Sequence, residues 1–74
     1  MKIEYRHCSN PDVTKVHDTR MSLIGCRGFL NFMGAEHTQE SWDKFTLEKF
    51  ERDLKRGVVL SYSIIEGGTA YALP

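Results

Sequence analysis

Apolar and polar positions alternate most clearly in residues 46–74. Leu47, Phe50 and Leu54 recur at i, i+3 and i+7, so they share one face of a helix. Thr46 is the expected N-cap, because its hydroxyl can accept from the free N–H groups of the first turn. Phe45 and Phe50 bracket that cap at the spacing of a hydrophobic staple. Glu48 with Arg52 and Glu51 with Lys55 form i, i+4 pairs of the better orientation. Gly57 supplies the left-handed residue that ends helices. A start at Thr38 would add residues 39–45 as further turns, but it points Trp42 and Phe45 away from the Leu47 and Leu54 stripe. A short separate turn or helix is therefore expected there, with Trp42 folding back onto the core.

After Gly57 the period becomes that of a strand. Val58, Leu60, Tyr62 and Ile64 fall on one face, and Val59, Ser61, Ser63 and Ile65 on the other. Gly67-Gly68 fits a two-residue hairpin turn, which needs positive φ. That turn pairs Glu66 with Thr69, Ile64 with Tyr71 and Tyr62 with Leu73, and so gathers the apolar residues on one face. A one-residue slip would separate them.

At the other end, Lys2, Glu4 and Arg6 alternate with Ile3 and Tyr5, the period of a half-buried strand. Asn10-Pro11 ends it. Asn10 could also cap a helix with Pro11 at its first position, lining Val13, Val16, His17 and Ile24 on one face up to Gly25. The β-branched residues weaken that helix, and a loop with one short helix competes equally. Residues 25–35 hold Gly25, Gly28 and Gly34 around Phe29, Leu30, Phe32 and Met33. This run reads as a buried strand or as more of the preceding helix, and the strand is preferred. The expectation is a single α+β domain over residues 1–74. Its small antiparallel sheet, the N-terminal strand plus the C-terminal hairpin, packs against one main helix.

The length of 74 residues changes this picture by limiting what the domain can hold. A chain of this size buries only about 60% of its unfolded surface, which leaves little room for both a core and a deep pocket. Eight aromatic residues offset part of that. Ten basic and ten acidic residues cancel, with five basic and three acidic in residues 1–35 against five and seven in residues 36–74. A dedicated nucleic-acid binder usually shows a stronger basic bias. Cys8 and Cys26 are too few for a disulfide scaffold. No apolar run approaches the roughly 20 residues of a membrane span, and the first residues lack the pattern of a signal peptide. A cytoplasmic protein with reduced thiols is expected.

Candidate chemistry is sparse. His7, Cys8, His17, Cys26 and His37 are metal-ligand types, but their spacing lacks the paired short intervals of structural zinc sites. Cys8 or Cys26 with a histidine, or Ser22 with His17 and Asp18, can be assembled on paper, yet nothing nearby would activate a nucleophile. Glu48, Glu51 and Asp53 read as solvated charge, and Gly25 with Gly28 lack the phosphate-cradling pattern. No catalytic residue, metal or cofactor is assigned.

The most unusual surface is the strand end holding Tyr5, Arg6, His7 and Asn10. Tyr and Arg are enriched where interfaces concentrate their energy, and loops beside rigid elements often carry binding. The competing reading makes Tyr5 core and Arg6 an edge gatekeeper. Lys15, His17, Arg20 and Arg27 extend this candidate patch if the middle segment folds alongside.

In being one compact α+β unit of mixed charge without recognisable chemistry, the chain resembles the small proteins that bacteriophages encode to bind and redirect host machinery. The resemblance is one of type and carries over no residue. It implies a non-enzymatic regulator that binds a larger protein sterically, with bacterial RNA polymerase and transcription as the sharpest version. The alternatives are a nucleic-acid binder using Lys15, Arg20 and Arg27, whose affinity would fall steeply with salt, and a small zinc-binding domain.

Overall fold

The computed structural model describes residues 1–65, and the fold is α+β. Strand β1 (Lys2–His7) lies at the centre of a three-stranded antiparallel sheet, between β2 (Lys15–Asp18) and β3 (Val59–Ile65). Ile3 stands opposite His17 on one side and Ile64 on the other, and Tyr5 stands opposite Lys15 and Tyr62. These residues share the face that meets the long helix, as the period of two requires. Between β2 and the long helix the chain forms α1 (Thr19–Ser22), a 3-10 turn (Leu23–Cys26) and α2 (Arg27–Phe32).

The long helix α3 covers Gln39–Lys55 and is capped by Thr38, whose hydroxyl accepts from the Ser41 N–H at 3.1 Å. Thr46, the expected cap, is instead buried in the middle of α3. The helix packs on two sides at once, and a single-stripe pattern cannot express that. Phe50 turns to the sheet, while Trp42 and Phe45 stack together at 5.5 Å on another side and meet the short helices. Leu54, expected inside, is 40% exposed. Among the described residues, neither expected i, i+4 ion pair on α3 closes. Two ion pairs centre instead on Asp53, with Lys49 Nζ at 2.7 Å and Arg56 at 3.9 Å, and a third joins Asp43 to the Met1 ammonium at 3.8 Å.

Gly57 ends α3 as expected, at φ +79. Its N–H donates to Leu54 O and the Val58 N–H to Asp53 O, both at 3.1 Å. These are the two bonds of a Schellman motif.

In β3 the strict alternation fails at one point. Arg6 pairs with Ser61 but His7 pairs with Val59, so Leu60 is an extra residue in a bulge. Tyr62 keeps its expected face. The bulge turns Val59 into the core and leaves Leu60 44% exposed, the reverse of the expected facing. Ile3, Phe50 and Val59 form the buried cluster, with Met1, Tyr5, Val58 and Tyr62 packed around it. Tyr5 meets Phe50 edge-on at 4.9 Å, and Tyr62 lies 6.0 Å from the same ring. Each such side chain taken fully out of water contributes about 1.5–3 kcal/mol.

The middle of the chain departs furthest from expectation. Residues 15–18 form a strand rather than part of a helix, since β-branched Val16 suits an extended backbone paired to β1. Residues 27–32 are helical rather than extended, and Gly34 at φ +75 closes that helix. Glycine and apolar residues interleave here without a period of two, so nothing in the run favours strand pairing. The hairpin turn at Gly67-Gly68 and its second strand lie outside the described residues.

Candidate functional site

The eight residues singled out by sequence fall into distinct settings. Tyr5 is half-buried against Phe50. Arg6 points to the opposite face of the sheet, where its Nε donates to Ser61 Oγ at 3.1 Å. His7 Nδ1 accepts from the Ser9 N–H at 3.1 Å. Asn10 sits in the exposed turn that follows, its N–H donating to His7 O at 3.0 Å. Lys15 is level with Tyr5 on β2. His17 lies on the core face, 6.1 Å from the Phe50 ring. Burial pushes its pKa below the ordinary histidine value; nearby Asp18 opposes this and Lys49 adds to it. Burial thus favours the neutral imidazole.

The register separates these residues into two groups. Asp18 stands opposite Lys2 and Lys15 opposite Tyr5, so Arg20 leaves from the end of the sheet where β1 begins. Arg6, His7, Asn10 and Lys15 gather toward the other end, and Lys2 to His7 spans roughly 17 Å at the rise of a strand. Arg20 and Arg27 lie instead on the short-helix segment, both exposed.

That segment carries a surface that the sequence reading missed. Across α1, the 3-10 turn and α2, Thr19, Cys26 and Leu30 are buried and Leu23 is partly so. These positions follow i, i+4, i+7 and i+11 spacing, so three short pieces behave as one helical face turned inward. Two outward rows share the same spacing. One holds Met21, Gly25, Gly28 and Phe32, and its neighbour holds Arg20, Ile24, Arg27 and Asn31, all exposed. Ile24 is 87%, Phe32 86% and Met21 67% exposed. No Asp or Glu occurs from residue 19 to residue 35. The row spacing was present in the sequence, but the two glycines interrupt its apolar signal.

The inward side of the segment is anchored on α3. Trp42 Nε1 donates to Ser22 Oγ at 2.8 Å, and Phe29 meets Phe45 at 4.8 Å. Buried Thr19 lies between Met1 O and Asp43 and accepts from Gln39 Nε2 at 3.0 Å. Beside this contact an aromatic groove of about 330 Å³ opens between Tyr5, His17, Phe29, Trp42, Phe45 and Phe50. Thr46 also lines it, and its buried hydroxyl has no hydrogen-bond partner among the described residues.

Of the side chains that could be assembled into a catalytic set, Cys8 is exposed with its Sγ 3.9 Å from His7 Nδ1, whereas Ser22, Asp18 and Cys26 have structural duties. Ser22 Oγ donates to Thr19 O at 3.2 Å and receives Trp42. Asp18 Oδ1 accepts from the Arg20 N–H at 3.0 Å and caps α1. Cys26 Sγ donates to Leu23 O at 2.9 Å, the same carbonyl that His37 Nε2 reaches at 2.9 Å. Among the described residues, no three His, Cys, Asp or Glu side chains group in a way that could hold a metal ion. No helix among them is long and apolar enough to cross a membrane. Compared with protein-family models, curated proteins and solved structures, the chain matches none.

Proposed function

We propose that this chain is a non-enzymatic protein-binding regulator that docks on a larger host enzyme and acts by occupying space there. The observation that carries the reading is the exposure of Met21, Ile24 and Phe32 together on one helical face beside Arg20 and Arg27. Large exposed apolar side chains grouped on one face mark interaction surfaces more often than a lone exposed leucine does. Arginine beside them adds the residue type that interfaces favour. The resemblance to phage regulators makes bacterial RNA polymerase the first target to try, with transcription as the process regulated.

The test is affinity capture from bacterial lysate, with purified RNA polymerase in parallel, using the full chain and an Ile24→Glu/Phe32→Glu variant. Both side chains are largely in solvent, so the variant keeps its fold. One dominant partner held by the parent chain and lost by the variant is the expected result. Equal recovery by both chains would refute this choice of surface. An Arg6→Ala/His7→Ala variant in the same experiment measures what the far end of the sheet contributes.

A further inference from the structure

We propose that the exposed face of residues 19–33 receives an α-helix of another protein, one whose apolar seam is flanked by Asp or Glu. The inference rests on the protein-binding reading and specifies the chemistry of the partner.

The contour of the face is the first argument. Met21, Gly25, Gly28 and Phe32 recur at helical spacing and all are exposed, so the two large side chains lie either side of two positions that carry no side chain and form a low floor between them. Glycine inside a helix weakens it relative to alanine, and neither glycine is required by the chain itself. Neither takes positive φ, and a Cβ built on either meets nothing within 4 Å. A floor that costs helix stability and answers no internal need is suited to close approach of another backbone. Packed helices use small residues in this way, seating a ridge of one helix in the hollow of the other.

Charge selects among occupants. Arg20 and Arg27 flank Ile24 in the adjoining row, and residues 19–35 hold no acidic side chain. Asp18 caps the backbone of α1 at Arg20, and neither guanidinium closes an ion pair among the described residues. A second copy of this chain, pairing the same face about a two-fold axis, would bring four arginines into one interface without a counter-charge. A helix with acidic flanks supplies that counter-charge. An anionic lipid surface would supply it too, but lipid gains nothing from a glycine floor, and surface-bound helices carry bulky apolar residues where this one has Gly25 and Gly28.

The test is selection of a display library of helix-forming peptides against the full chain, followed by calorimetry on the enriched peptides. Enriched sequences should carry an apolar seam with Asp or Glu beside it. A Gly25→Ala/Gly28→Ala variant should melt at higher temperature yet bind these peptides about tenfold more weakly or worse, a split that a merely structural role for the glycines does not produce. Several results would overturn the proposal: no enrichment, enrichment of extended or basic peptides, or full binding by the alanine variant. So would a dimer in sedimentation that Ile24→Glu/Phe32→Glu dissolves, or binding to vesicles of phosphatidylcholine with phosphatidylglycerol in place of peptides. Binding only by a chain ended after Ile65 would assign the face to residues 66–74 instead. If the lysate partner is lost with Ile24→Glu/Phe32→Glu but kept by the alanine variant, the protein-binding reading stands and the helix inference falls.

Discussion

Between the sheet and α3, Ile3, Phe50 and Val59 interlock from three elements, β1, α3 and β3. In the short-helix segment, Met21, Ile24, Phe29, Leu30, Phe32 and Met33 are just as apolar, yet of these only Leu30 is buried. The first region uses its apolar side chains to hold the domain together. The second touches α3 through Thr19, Ser22 and Phe29 and turns most of its apolar surface to solvent. Similar composition thus serves cohesion in one place and leaves a surface for contact in the other.

The largest expected effect tests the first half of that contrast. Phe50→Ala removes the ring that Tyr5 and Tyr62 pack against and should cost about 3–5 kcal/mol in urea unfolding, enough to abolish folding in a domain this small. Phe32→Ala, the same chemical change on the exposed face, should shift stability by under about 0.5 kcal/mol. Comparable losses from both would erase the distinction. Leu30→Ala comes next, at about 2–4 kcal/mol. Hydrogen exchange should show amide protection falling first in residues 19–33 while β1 and β3 keep theirs; uniform loss would mean that the two regions open as one.

A smaller effect of opposite sign concerns Thr46. Its hydroxyl is buried without a partner among the described residues, so Thr46→Val should stabilise the fold by about 1 kcal/mol in thermal melts. Destabilisation would show that the hydroxyl is satisfied. The smallest effect is on pH dependence. His17 has a folded pKa below its unfolded value near 6.5, so the unfolded chain binds the proton more readily. Stability should be full above that value and decline as pH falls from it toward the folded pKa. His17→Gln should flatten the profile, and an unchanged slope would remove His17 as its cause.

Much of the first region was legible in the sequence. The period of two in residues 2–6 and the terminator Gly57 both located elements correctly, because each is a local signal. Thr38 lost to Thr46 as the expected cap because α3 buries Trp42 and Phe45 on a different side from Phe50, and a one-face pattern discards such residues. The bulge at Leu60 was invisible because it arises from pairing with β1, not from the order of residues in β3. The candidate surface was legible only in its charges. Arg20 and Arg27 stood out, but Ile24 and Phe32 did not, since exposure depends on which row of the segment meets α3.

Trp42 has a practical consequence. It is the chain's sole tryptophan, and its indole joins Ser22 on α1 while stacking on Phe45 of α3. Its fluorescence therefore watches the seam between the two regions, apart from the Phe50 cluster. Release of the short helices would solvate the indole and red-shift its emission before the far-ultraviolet dichroism changed. The unlabelled chain carries its own optical gauge of how firmly its contact surface is held.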